Sequence, residues 1–299
     1  MKRTIVVTGA TGNIGSKLAD HLLAQSVRVR AVGRDASRLQ GFENTAAETA
    51  IGDLGDVRFT TQAMSGATGV FALIPPNYGV ADLRAYQNTV SESLATAIQK
   101  TGVRYVVHLS SVGAQHAGGT GPIAGLYDSE RRFNELPGVN VVHLRPTFFM
   151  ENQLMNIPAI KRLGVNGSPV KAALSMAHIA TRDIAHAAAR LLADATFEGK
   201  TVRELLGPRN YTMTEVTTIL GAAIGKPDLR YVEFSYDDTE EAFLGLGMSP
   251  DVAGKFIEMY KAVNGGLVAP ERGRTPEATT PTTFEEFART TFAPAFAGR

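Results

Sequence analysis

The nine residues Val7–Gly15, VTGATGNIG, constrain this chain more than any other stretch. They follow an apolar β-branched run, Thr4-Ile5-Val6-Val7, and lead into a pattern that predicts a helix over 13–25. A strand that enters a helix through a glycine-rich turn offers free backbone N–H groups, and the positive end of the helix dipole, to an anion. In that setting Gly9 permits the tight turn, Gly12 lets the backbone approach a pyrophosphate, and Gly15 lets the helix sit close to the sheet. Thr11, Asn13 and Ile14 complete the seat. The context predicts a dinucleotide site, the alternative being a turn with a structural role only.

The pattern that follows supports a doubly wound α/β fold. Short β-branched runs near 4–8, 28–32, 47–51, 69–74, 104–109 and 140–145 alternate with helical patterns near 13–25, 56–65, 82–101 and 124–136. Tyr105-Val106-Val107-His108-Leu109 is nearly continuous in its apolar character, as a strand buried on both faces of a parallel sheet should be. After Arg145-Pro146 the elements shorten and are broken by glycine and proline. This places a dinucleotide-binding domain at 1–150 and a smaller α/β substrate domain at 151–299. In the second, Thr181 is placed to cap a helix over 182–194, and Thr212 with Glu215 makes a capping box, a device repeated by Thr283 with Glu286. Residues 271–283 read as a surface connection.

Composition narrows the function. With 44% apolar and 20% charged residues the chain is an ordinary globular protein. Thirty basic and twenty-nine acidic side chains, with no basic run, argue against nucleic-acid binding. No cysteine is present, which excludes disulfides and thiolate chemistry. The start, Met1-Lys2-Arg3 followed by a four-residue apolar run, predicts no leader and no membrane span, hence a cytoplasmic location.

The second strand ends in Val32-Gly33-Arg34-Asp35. A ribose with a free 2′-hydroxyl is met here by an acid, and a 2′-phosphate by a cation. Arg34 and Arg38, four residues apart, would fork onto that phosphate and so predict NADP. In the alternative Asp35 faces the ribose and both arginines are solvated. Asp53 would accept from the adenine amino group with Leu54 covering the ring, or serve as the N-cap of the helix that begins near Asp56.

Taken together, VTGATGNIG at 7–15, GDL at 52–54, HLSSVGA at 108–114, LRPTFFMEN at 144–152, TRDIAHAAARLL at 181–192, LLGPRNYTMTEV at 205–216 and PTTFEEF at 281–287 carry a resemblance. The chain resembles the NmrA-like branch of the atypical short-chain dehydrogenases/reductases, which includes quinone reductases and triphenylmethane-dye reductases. The resemblance implies a Rossmann domain with a smaller C-terminal domain, an acceptor held in the cleft between them, and a helix near 182–194 that returns to the Rossmann body. It puts the adenine end of the cofactor against Arg34, Asp53 and Leu54. The nicotinamide end falls against Ala72, Leu73, Ile74 and Pro75, Ser110 and Ser111, and Pro146, Thr147 and Phe148.

Typical short-chain reductases pair a serine with Tyr-x-x-x-Lys. Here Ser110 or Ser111 stands with Tyr127-x-x-x-Arg131, with arginine in place of lysine. The spacing puts Tyr127 and Arg131 on one helical face, but a guanidinium is planar and never gives up its proton. Tyr127 is therefore either a proton donor, a lining residue or a solvated one. A quinone or cationic dye delocalises the charge it gains, so positioning alone would suffice. A flat apolar acceptor would suit Phe148, Phe149, Met150, Asn152 and Met155 together with Phe243, Met248, Phe256 and Met259, unless these simply form core.

His178 and His186 lack metal-site spacing, and His108 and His143 lie within strands, so no metal is expected; His116 is a candidate cleft residue. Two readings emerge. One is an NADPH-dependent reductase of a small conjugated acceptor, with the proton from Tyr127 or water, acting as a monomer or homodimer. The other is a non-catalytic sensor of NADP redox state that binds a protein partner.

Overall fold

The structure, a computed structural model, describes residues 3–298. Its first half alternates β1 (Thr4–Thr8), α1 (Gly15–Ala24), β2 (Arg28–Gly33), the single turn α2 (Ala36–Leu39), β3 (Glu48–Ile51), α3 (Val57–Met64), β4 (Gly69–Ala72), α4 (Leu83–Thr101), β5 (Tyr105–Leu109), α5 (Ala124–Asn134) and β6 (Asn140–Pro146). Then come β7 (Phe148–Phe149), α6 (Ile157–Leu163), β8 (Val165–Ser168), β9 (Met176–Ile179), α7 (Thr181–Asp194), β10 (Lys200–Leu205), β11 (Asn210–Tyr211) and α8 (Met213–Ala223). The chain closes with β12 (Arg230–Glu233), α9 (Tyr236–Gly245), α10 (Pro250–Asn264), α11 (Phe284–Phe287) and α12 (Ala293–Phe296).

Seven strands form one parallel sheet in the order β10-β6-β5-β4-β1-β2-β3. The order reverses between β1 and β4, and at such a switch point the loops leaving the strand ends diverge and open a crevice. Successive side chains of β1 explain why its sequence runs apolar without alternating. Ile5 and Val7 enter a core shared with Leu18 and Leu22 of α1 and Ile184, Ala188 and Leu192 of α7. Val6 enters the opposite core with Met64 of α3, Val90, Leu94 and Ile98 of α4, and Phe133 of α5. Each such fully buried aliphatic side chain contributes roughly 1.5–3 kcal/mol, so both faces of the sheet need their helices.

The Rossmann body is not confined to the first 150 residues. α7 packs beside α1, and β10 adds a seventh strand against β6, in register from Lys200↔Val141 to Leu205↔Pro146. That strand, KTVREL, buries only its last two residues, so it carries no apolar run and was not expected. The intervening and following segments form a second core around Met150, Ile160, Met213, Leu220, Phe284, Phe287 and Phe292, flanked by the small sheets β11-β9-β7 and β12-β8. Thr212 and Glu215 form the expected capping box, and the Thr283 side chain accepts from the Glu286 amide. Thr181 does not cap α7. It opens the helix as its first residue, and its amide and hydroxyl both donate to the carboxylate of Glu151 from the second core. An acid at this positive helix end joins the two bodies. Among the described residues no helix is long and apolar enough to cross a membrane.

Candidate functional site

The glycine turn leaves β1 at the edge where the strands end. Gly9 has φ +63°, and a Cβ there would lie 2.2 Å from Leu73 Cδ2, so no larger residue fits. At Gly15 a Cβ would meet the Gly9 carbonyl oxygen at 2.2 Å, which is why α1 can start so close to the turn. The Gly12 amide closes the turn onto Gly9 O, whereas the amides of Asn13, Ile14 and Gly15 have no protein acceptor among the described residues. Three converging free N–H groups at a helix N-terminus form an anion cradle that suits a pyrophosphate.

At the end of β2, Asp35 is the N-cap of α2, accepting from the Ser37 amide at 2.8 Å and hydroxyl at 2.7 Å. Those bonds, both to Oδ1, hold its carboxyl below the ordinary aspartate range and tie it to the start of the helix. Arg34 is exposed and has no partner among the described residues, while Arg38 donates to Thr11 O at 2.8 Å and braces the glycine turn. Asp53 accepts from the Gly55 amide, and the cap of α3 is Asp56 instead. Leu54 is buried at the margin of the core that holds Val6 and Val32. Tyr86 is a residue that sequence reasoning missed. Its hydroxyl donates to Pro75 O at 3.1 Å, and burial raises its pKa while the charges of Arg34 and Asp53 act on it in opposite senses. Tyr86 sets a half-buried phenol near Arg34, Asp53 and the loop after β4.

Beyond the turn a cavity of about 1010 Å³ opens over the ends of β4, β5 and β6. Leu73 joins the two regions, touching the Gly9 turn on one side and lining the cavity on the other. Ile74, Pro75, Ser110, Ser111, Thr147 and Phe148 line it, as do Phe149, Asn152, Phe256 and Met259 from the acceptor set. Pro146 ends β6 beneath it, where its carbonyl accepts from the Val112 amide.

Several expected wall residues lie elsewhere. Met150 is fully buried in the second core, and Met155 is 63% exposed on the short 3-10 segment after β7. Phe243 packs edge-on against Phe256 and does not itself reach the cavity, nor do Met248 and His116. Tyr127 and Arg131 also fall outside the lining. The guanidinium donates to the phenol at 3.3 Å on an exposed flank of α5, which turns Leu126 toward the cavity instead. The spacing that united the pair on one helical face also carried both of them off the face that meets the cavity.

The polar centre beneath the cavity joins Ser110, which the sequence singled out, to two residues that it did not, Glu130 and Arg145. Ser110 Oγ donates to Glu130 Oε1 at 2.5 Å, and Glu130, 5% exposed, is held by Arg145, 6% exposed, through Nε at 2.9 Å and an Nη at 2.7 Å. The other Nη of Arg145 reaches Glu271 at 2.6 Å. Burial works against the Arg145 charge, yet the bonds and charge of Glu130 and Glu271 outweigh it and raise its pKa. Glu130 lies three residues beyond Tyr127, one turn along α5 on its inward side, and β6 supplies Arg145 opposite. His108 and His143 lie deeper, Nδ1 to Nδ1 at 3.0 Å, with His143 Nε2 against Asn134 Oδ1. Among the described residues no three potential ligands converge on a metal site.

Fold and site together define a dinucleotide-binding α/β protein with an apolar cavity next to its glycine turn. The chain belongs to the NmrA-like family, whose model matches residues 1–288. An NAD(P)H azoreductase of Xenophilus azovorans is 29% identical over 287 residues, covering 95% of this chain and 96% of that protein. An Escherichia coli NADPH-dependent quinone oxidoreductase, solved with NADPH, superposes with a TM-score of 0.79 at 22% identity over 96% of this chain and 99% of that one. The triphenylmethane reductase of a Citrobacter species, solved with NADP(H), gives 0.77 at 18% identity over 95% and 99%. At these identities the two structures share the fold.

Proposed function

We propose that the chain is an NADPH-dependent reductase of a small, flat, conjugated acceptor, of the quinone or azo-dye kind. The observation that carries the reading is the apolar cavity, which meets the glycine turn through Leu73 and is lined by Ile74, Pro75, Phe148, Phe149 and Phe256. A ligand enclosed by such walls is bound by its rings and kept from water. The azoreductase likeness over nearly the whole of both chains is consistent with it.

The amides of Asn13, Ile14 and Gly15 would hold the cofactor's pyrophosphate, and Arg34, an exposed cation at the end of β2, its 2′-phosphate. When bound, the dihydronicotinamide supplies a hydride. The chain's own part is orientation. Ser110 donates its hydroxyl hydrogen bond to the carboxylate of Glu130, so the oxygen of this cavity-lining residue is left as an acceptor for an N–H or O–H of a bound molecule. Glu130 is fixed in turn by the two bonds from Arg145, and the seryl oxygen therefore holds one position. Among the described residues no carboxyl, imidazole or ammonium lines the cavity. The acceptor gains two electrons and one hydrogen as hydride, and the second proton comes from water.

The test is NADPH oxidation by the purified chain with a panel of quinones, azo dyes and triphenylmethane dyes. Turnover of at least one conjugated acceptor, retained in Tyr127→Phe, is expected. Cofactor binding without turnover of any of them would overturn the reading and favour a sensor that works through a partner.

A further inference from the structure

The cavity's charge is one-sided. Among the described residues two of its lining side chains carry charge, Arg209 and Arg274, and they are of one sign. They differ in what surrounds them. Arg209 is neutralised by Glu215 at 3.1 Å and Glu285 at 3.4 Å and lies 3.7 Å over the ring of Tyr211. Arg274 has no carboxylate partner among the described residues. One of its Nη atoms donates to the Gly207 carbonyl and the other to Asn210 Oδ1 at 2.7 Å, both neutral acceptors. Two of five N–H donors are thus used to fix the guanidinium, which leaves three donors and an uncompensated charge at the cavity rim.

The backbone around Arg274 is fixed as well. The strap that carries it is pinned to the end of β10 by Leu206 N–H to Ala278 O and Thr280 N–H to Leu206 O, each 2.7 Å. A cofactor phosphate is too far away to be its partner. β10 and β2 are separated by five strand spacings, roughly 24 Å, and β10 and β1 by four. The glycine turn and Arg34 therefore serve the phosphates at one side of the sheet, while Arg274 stands at the other.

We infer that this cavity takes an acceptor bearing a sulfonate or carboxylate, its rings on the apolar walls and its anionic group on Arg274 at the rim. The inference rests on the reductase reading and adds its substrate class. It also runs against cationic dyes, which would find no carboxylate on the wall and a guanidinium at the entrance.

The test compares 1,2-naphthoquinone with its 4-sulfonate as acceptors for the full chain with NADPH, in the wild type, Arg274→Gln, Arg274→Lys and, as control, Arg209→Gln. A sulfonate-to-neutral ratio of kcat/KM of about tenfold or more in the wild type is expected. That ratio should collapse in Arg274→Gln, be partly kept in Arg274→Lys, and fall with rising salt. A wild-type ratio near one, or a ratio that Arg274→Gln leaves intact, overturns the inference while the reductase reading stands on the neutral quinone. If neither quinone turns over, the reductase reading fails. Binding of naphthalene-2-sulfonate then decides the anion site: tenfold weaker binding to Arg274→Gln than to wild type supports it, and equal binding overturns it.

Discussion

Single residues decide which cofactor fits and where its reacting end is held. Arg34 is exposed and has no partner among the described residues, so Arg34→Glu should weaken NADP binding at least tenfold and leave NAD binding nearly unchanged. Titration with both dinucleotides measures this, and an equal loss for the two would remove Arg34 from the 2′-phosphate. Glu130→Gln should act on two properties together. It strips a buried guanidinium of its main counter-charge, a destabilisation of about 3–5 kcal/mol, and it takes from Ser110 the anion that orients its hydroxyl. Urea unfolding and steady-state kinetics should therefore both move, with kcat falling at least tenfold, whereas Ser110→Ala should lower kcat with a smaller change in stability. The sequence disclosed the glycine turn at this scale because each glycine there answers a backbone demand. It did not disclose Glu130 and Arg145, because a buried ion pair joins residues fifteen apart on different elements and leaves no local pattern. Tyr127-x-x-x-Arg131 had the opposite character, a local spacing whose meaning depended on which face of α5 meets the cavity.

At the scale of elements, the strands were readable wherever they are covered on both sides. β1, β4, β5 and β6 are near-continuous apolar runs and were placed to within a residue or two, whereas β10 is an edge strand with polar residues along most of its length and gave no signal. The same strands bury imidazoles. Burial pushes His143 in β6 and His178 in β9 down to about 4, and His108 in β5 well below its usual range, with Glu130 and Arg145 acting on His143 in opposite directions. A base with a depressed folded pKa contributes stability that is fully present above its unfolded pKa of about 6.5 and is lost as pH falls toward 4. Each of His143 and His178 then contributes about 3 kcal/mol of lost stability across that interval. The unfolding midpoint in urea should accordingly fall steeply from pH 6.5 to 4, and His178→Phe, which keeps the ring among Phe148, Tyr211 and Phe284, should flatten the slope. A midpoint independent of pH over that range would contradict the assignment.

For the molecule as a whole, the two bodies are fastened at several points remote in sequence. Glu151 binds the start of α7, the two oxygens of Asp183 accept from the amide and hydroxyl of Thr282, and Arg145 reaches Glu271. The cavity is walled from both sides, by Ile74 and Ser110 on one and Phe256 and Met259 on the other, so its volume depends on both bodies being in place. The sequence changes texture near residue 150, where the long βα alternation gives way to shorter elements. The return of α7 and β10 was less legible, since the resemblance alone suggested the helix and nothing suggested the strand. That return has a consequence for how the protein is made. A ribosome delivers β6 more than fifty residues before the strand that covers its outer side. Until then Val141, Val142 and Leu144 stand on an open hydrogen-bonding edge, and the core beneath α1 lacks Ile184, Ala188 and Leu192. Such an edge is a template for pairing with other chains. A fragment of residues 1–150 should therefore bind hydrophobic dyes and associate, whereas one extended to 206 should be monomeric at the same concentration; sedimentation of the two would show whether this sheet is safe to expose before it is finished.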